Sequence, residues 1–540
     1  MNDLIIPSSN HIQCTLIQPA FVKESGWAAF GEHFGVEFSP SPGPGVTPHT
    51  SRVLICENVE EVIKSCGPAR TFVAPEVAST RGEDIDSIEI CGEIPGKAWL
   101  RGQLLNLQKT MRVEPIPLRI GVEVMARCKA GPVWVREVVG GAVIDRVALP
   151  LPESAATPNS SVFDWLNSET FPQLLPFIQF LREVTGEHRW HFQPKACFMF
   201  DDPNLHAQSY GFIDYRKLIA QAVRHRYHVS FATVPLDGWF VSTKAAMLFR
   251  DSKAQLSLLV HGNDHVHHEL ARAYSREQRE ALLRQALRRI RQMEMKAAVE
   301  VCRVMAAPHG ACNEDMLRDM ARFGFEAACI SHGSLRYHNR ERAWTRGLGS
   351  RPAVIVEGLP VFPRFPMTAA NARQNALLAA YMDQPIVPMG HHGDVASDLE
   401  LLNGLADHIN RIGSVQWVRM SEVARTHFQW RTEAETVVVR RFSRLTRLIV
   451  PEDVTCLRVD PLPGGDIAQT SYSIEGARLS KRDCRPGDVV RVVPGEAVWL
   501  GPSRSEYLNL ETGMIPSFKF WPVARRVAGE VRDRIKPWLC

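Results

Sequence analysis

Between Cys197 and His427 short apolar runs alternate with amphipathic, helix-length ones, and this alternation limits the possible folds more than any other feature of the chain. Ala196 to Phe200, Tyr227 to Ala232, Gln255 to Val260 and Phe325 to Ser331 read as buried strands. Asp214 to Arg224, the stretch from Ser275 toward Met305, and Asp315 to Phe323 read as helices. The second opens with Ser275 and Gln278 at capping-box spacing, and the third is closed by Gly324. Strands separated by helices need crossover connections, so the fold class is α/β with a parallel sheet or a barrel. In barrels the working residues gather where the strands end.

The polar chemistry of the sequence lies at those ends. The first strand runs into Asp201-Asp202-Pro203-Asn204, and Pro203 stops it from continuing. The third runs into His261-Gly262-Asn263-Asp264-His265, whose spacing predicts a helical turn with both imidazoles on one side. Two histidines and a carboxylate make a first shell for a divalent metal with an open position. Any one of these residues is more often a hydrogen-bonded structural group. The set together favours a metal site.

At 540 residues two or three domains are expected, and the pattern divides at 1–190, 191–430 and 431–540. The first part reads as an α/β region. Its strands are Ser51 to Cys56, Arg70 to Ala74, a pair formed by Gly121 to Ala126 with Val133 to Val138, and Ala142 to Ala148. A helix is expected over Val59 to Ser65, loops over Phe38 to Gly45 and Pro150 to Ser161, and an amphipathic helix over Thr170 to Thr185. It carries no phosphate loop, dinucleotide fingerprint or nucleophile motif. After Arg431 short strands separated by Pro/Gly turns suggest a small β-sandwich-like module, with a short helix over Ala524 to Leu539. Arg284, Arg288 and Arg291 form one helical stripe, read as a solvated basic face.

A net charge of +4 gives no electrostatic reason for nucleic acid or an anionic membrane as partner. Met1 to Pro7 lacks the basic and apolar regions of a secretory signal, and no apolar run is long enough to span a bilayer. The 12 cysteines include no C-x-x-C pair, a pattern of reduced thiols. A cytoplasmic location is therefore expected, with self-association left open.

Two further segments complete the pattern. Met305-Ala306-Ala307-Pro308-His309-Gly310 precedes a helix capped by Asn313, and Pro385 to Asp394 is an apolar run ending in His391-His392. In order, the four pieces resemble the polysaccharide deacetylase family of metal-dependent carbohydrate esterases (carbohydrate esterase family 4-like). The resemblance spans roughly residues 195–430, and Gly413 to Glu422 is similar to the closing strand and helix of such barrels. Pro203-Asn204 stands where typical members carry Gly, which marks a divergent branch.

The resemblance implies an irregular TIM-like (β/α) barrel in which Asp202, His261 and His265 hold the metal. Asp201 would be the general base and His391, or its neighbour His392, the general acid. Pro308, His309 and Gly310 would contribute oxyanion contacts and line the groove, with His206 and Arg364 among the substrate-binding groups. The family's Arg two residues before the loop Pro is Ala306 here, and Arg364 is the candidate to supply that guanidinium. Asp394 is a candidate either to tune the catalytic histidine or to cap its loop. His206, His267, His268 and His309 are expected to meet substrate or solvent, not a second metal. Two imidazoles and a carboxylate favour Zn2+, though Mn, Co, Ni or Fe fit the same donors.

The implied activity is hydrolysis of a non-peptide C–N bond. An acyl group, most simply N-acetyl, leaves a carbohydrate or related amide by attack of metal-activated water. The substrate is then a small molecule or glycan, and the absent signal favours an intracellular one. Alternatives are a cyclic amide or ureide hydrolase on the same fold, and a non-catalytic carbohydrate-binding or scaffold protein. Retention of Asp201, Asp202, His261, His265 and His391 together speaks against the last.

Overall fold

A computed structural model describes residues 12–16, 30–31, 33–40, 51–55, 70–75, 77–152, 161–462, 471–503, 507–517 and 520–539. The chain is a mixed α/β protein of two compact units. One is built on the residues before Phe192 with Ala343–Ser350, the other on Phe192–Arg342, Arg351–Leu462 and the C-terminal residues.

The first unit is organised on nine strands. Across the sheet they run Val36–Pro40, Ile12–Leu16, Ser51–Ile55, Thr71–Ala74, Ala142–Val147, Gly131–Val139, Glu123–Cys128, Glu83–Ile90 and Leu104–Val113. The first five pair in parallel and the rest antiparallel. Phe38–Pro40, expected in a loop, closes the first of these strands. The expected helix at 59–65 and most of the expected loops at 38–45 and 150–161 lie outside the described residues. The helix Phe171–Val184 buries Phe171, Leu174, Phe177, Ile178 and Leu181. Asp145, fully buried, accepts hydrogen bonds from Trp134 Nε1 at 3.2 Å and Arg136 Nε at 2.9 Å. Arg136 also reaches Glu183 of the helix at 3.0 Å, so a buried ion pair fastens helix to sheet.

The second unit holds another nine-stranded sheet. Its order is Val354–Val356, Leu359–Phe362, Ala327–Cys329, Val301–Ala306, Leu256–Val260, Val229–Thr233, Phe198–Asp201, Pro388–Gly390 and Phe365–Pro366. All neighbours are parallel except the first pair, and the two edge strands do not pair with each other. The central strands are buried along their whole length, as a sheet covered on both faces requires. Caps start the crossover helices. Asp214 accepts from the N–H groups of Arg216 and Lys217, Ser275 and Gln278 form the capping box, and Asn313 accepts from Met316 N. Because the strands run the same way, the segments after Asp201, Thr233, Val260, Ala306, Phe362 and Gly390 emerge at one edge.

Farther along, two four-stranded sheets share one apolar core that includes Val437, Leu457, Ile474, Val490 and Leu500. Two expectations are corrected here. Of the Arg284/Arg288/Arg291 stripe, expected as a solvated face, only Arg291 is exposed, and all three are engaged by the chain after Asn509. Arg284 donates to the carbonyl of Met514 at 2.8 Å, Arg288 to those of Leu510 and Glu511 at 2.7 Å, and Arg291 pairs with Glu511. The short terminal helix is instead a 20-residue one, Phe520–Leu539. No described helix is long and apolar enough to cross a membrane.

Burial pushes His228 down to about 4 and His427 to about 3. His228 is nonetheless fully hydrogen bonded, to the Ala254 carbonyl at 2.9 Å and the Ser257 hydroxyl at 2.8 Å. Unfolded, each would titrate near about 6.5. The unfolded chain therefore binds the extra protons, and stability is full above that value and lost as pH falls toward about 4. Urea unfolding at pH 7.5 and 5.0 should show the lower midpoint at pH 5.0. His228→Asn should narrow the difference.

Candidate metal centre and neighbouring catalytic groups

Asp202, His261 and His265 place one ligand atom each within 4.8 Å of one another. His265 Nε2 lies 3.3 Å from Asp202 Oδ1, and the two imidazole centroids are 4.9 Å apart. His261, fully buried, donates Nδ1–H to the carbonyl of Ala306 at 2.9 Å, which fixes its tautomer and leaves the Nε2 lone pair as the ligating one. Burial, aided by His261, pushes His265 down to about 3, so its imidazole is neutral at pH 7. Two imidazoles and a carboxylate fit a divalent metal.

The expected helical turn between the histidines is not formed. Residues 261–265 run as a loop, with His265 at φ +53°. The loop is shaped by Glu269, buried beneath it, whose carboxylate accepts from Asn263 N at 2.8 Å and Asp264 N at 2.7 Å. Gly262 is required there. At φ +64° a Cβ would stand 2.3 Å from Glu269 Oε2 and 2.7 Å from Pro308 Cγ. Asp202 also has a positive φ, +85°.

Asp201, one residue before the ligand carboxylate, is buried. Arg364 Nη1 donates to both its oxygens at 2.8 and 2.9 Å, while Nη2 reaches the carbonyl of Ala307 at 3.1 Å. Arg364, from another strand end, is thus engaged with protein on both sides. Burial works to raise the Asp201 pKa, but Arg364, then His261 and His391, hold it below the ordinary value.

The histidine pair separates. His391 is exposed and is among the groups that lower the pKa of both Asp201 and Asp202. His392 is buried against Phe212 and Tyr210 with ring centroids 5.7 and 5.6 Å distant. Asp394 caps this turn by accepting from His391 N at 2.8 Å. His309 sits at φ +56° with its ring 5.1 Å from that of His265. The N–H of Gly310 donates to Ala307 O at 2.9 Å, which takes it out of the expected oxyanion set, and Pro308 has no N–H. His206 is also taken. Its Nδ1 meets Glu530 at 2.8 Å and its Nε2 the carbonyl of Asp237 at 2.9 Å.

The sequence reading missed Arg526 of the terminal helix. It donates to Asp202 Oδ1 at 3.1 Å, to Asp202 O at 2.6 Å and to Asp237 Oδ2 at 2.7 Å. Burial works to raise the Asp202 pKa, and Arg526 is the strongest influence holding it far below the ordinary range. Only the helical periodicity around Arg525-Arg526 was visible in the sequence, with no link to a residue 324 positions earlier.

Removing Arg364 leaves the Asp201 carboxylate buried and unpaired. Arg364→Ala should lower the unfolding free energy by about 3 kcal/mol, read by urea denaturation, with Arg364→Lys recovering part of it.

No family model matches the chain, and no curated protein matches it in sequence. Solved structures do. A candidate polysaccharide deacetylase from Mycobacterium smegmatis is 16% identical, with 43% of this chain and 89% of that one covered and a TM-score of 0.31. A family 4 carbohydrate esterase from Streptomyces lividans, in complex with acetate, is 11% identical over 43% of this chain and 94% of its own, TM-score 0.26. A family 4 pseudoenzyme from Bacillus anthracis is 11% identical over 43% and 66%, TM-score 0.27. The chain is thus distantly similar to family 4 polysaccharide deacetylases, the family that its four strand-end segments resemble.

Proposed function

We propose that the second unit is a metal-dependent acyl-amide hydrolase, removing an N-acetyl or similar group from a carbohydrate or related small amide. The observation that carries this reading is the placement of Asp202, His261 and His265 within 4.8 Å at one sheet edge, beside the Asp201–Arg364 pair. In this reading the parallel sheet is the irregular (β/α) barrel of the family, and residues 431–540 add a β-rich module whose terminal helix returns to the barrel. A divalent metal held there, zinc by its donor set, would lower the pKa of water to about 7 and polarise the amide carbonyl. Asp201, kept ionised and oriented by Arg364, takes the proton of the attacking water. His391, the exposed member of the pair, gives a proton to the departing nitrogen.

A non-catalytic scaffold is the second reading. It is favoured by Arg526, which already engages one oxygen of Asp202. Metal analysis and acetate release separate the two. About one metal per chain is expected, lost in His261→Ala and Asp202→Ala. Asp201→Asn should keep the metal and lose about 100-fold or more in turnover. Equal metal in wild type and both ligand variants would overturn the centre. Metal without release from any acetylated sugar or cyclic amide would leave the scaffold reading.

A further inference from the structure

The groups that the mechanism leaves unused are concentrated on one element, the helix Phe520–Leu539. Arg526, Glu530, Asp533 and Arg534 are spaced i, i+4, i+7 and i+8, so they share one face. Each meets the rim of the candidate centre. Arg526 bridges Asp202 and the buried Asp237. Glu530 holds His206 at 2.8 Å. Asp533 lies 3.6 Å from His392 Nε2 and 3.3 Å from the Tyr210 hydroxyl. Arg534 reaches Asn204 Oδ1 and the carbonyl of Ser209, both at 3.3 Å. One residue before Arg526, Arg525 donates to the carbonyl of His265.

These contacts run from the ligand carboxylate at one side to the histidine pair at the other. From Arg526 to Asp533 the helix rises about 10 Å, and along that length it stands over the edge where the strands of the second unit end. A polymer reacting at an internal unit needs an open groove on both sides of that unit. A strut tied to Asp202, His265, His206, Tyr210 and His392 removes one side.

We infer that the C-terminal helix is the specificity element of this centre, restricting its substrate to a small, monosaccharide-sized N-acyl amide and excluding the internal units of a polymer. The inference rests on the acyl-amide reading above. Closure by a segment of the same chain narrows access to the centre, which suits a compact substrate and excludes water around it. The specificity lies in the polar face of the helix, because Arg526, Glu530, Asp533 and Arg534 meet the rim through ion pairs and hydrogen bonds.

Acetate release from N-acetylglucosamine and from its β-1,4-linked hexamer, by the full-length metal-loaded protein, tests this. Wild type should favour the monosaccharide by about tenfold or more in kcat/KM per acetyl group. Glu530→Ala/Arg534→Ala loosens the helix and should narrow that preference about tenfold, mainly by lowering KM for the hexamer. If the double variant does not fold, Asp533→Asn gives the same comparison from a different anchor. Equal wild-type rates on the two substrates, or an unchanged ratio in a folded variant, would overturn the inference while leaving the hydrolase reading intact. No release from either substrate would overturn it through failure of the parent reading.

Discussion

The pairing of Asp201 with Arg364 is the constraint on which the centre depends. A carboxylate buried at a strand end is tolerable only if its charge is met, and Arg364 meets both oxygens with one nitrogen while its other binds the Ala307 carbonyl. One guanidinium thereby joins the ends of three strands, those at Asp201, Ala306 and Phe362. The same Ala306–Ala307 turn accepts the Nδ1–H of His261, so the carboxylate cluster and the imidazole are indexed to one piece of backbone. Reorganising any of these groups would expose a charge that has no other partner.

What was legible in the sequence follows from this. Strand ends bearing Asp201-Asp202, His261 and His391 could be read locally, because a short apolar run followed by polar residues is a local pattern. Arg364 could be nominated because a family position was empty at Ala306. Conformation at His265 could not, since spacing of four suggests a helix while Glu269 pulls the intervening N–H groups into a loop. Charges misled for a related reason. Arg284, Arg288 and Arg291 look solvated on a helical wheel, yet they bind carbonyls and a carboxylate more than 200 positions away, and such pairings leave no periodic trace. Arg526 was hidden in the same way.

Four of the nine described non-glycine residues with positive φ lie around the centre. Asp202, His265, His268 and His309 all have φ between +50° and +85°, a region that costs non-glycine residues about 1–2 kcal/mol each. Such conformations persist only where surrounding contacts over-determine them. Glu269 under the histidine loop, Gly262 against Pro308, and the Ala232 carbonyl that accepts from Asp202 N supply those contacts. The strain positions ligand atoms on one side of the sheet edge, which relaxed strand continuations would have alternated between its faces.

The terminal helix reverses the usual arrangement of an amphipathic helix. Glu530 and Asp533 are buried against the protein and Arg526 nearly so, while Phe520 and Trp521 remain 73% and 75% exposed and Val527, Val531 and Ile535 about half exposed. Salt screens exposed ion pairs over a Debye length of about 8 Å at physiological ionic strength, but buried pairs far less. Arg526 with Asp237 and Glu530 with His206 are side chains at most 11% exposed. The helix is consequently held by charge yet sheltered from electrolyte, so that losing one partner of a pair, and not added salt, is what releases it.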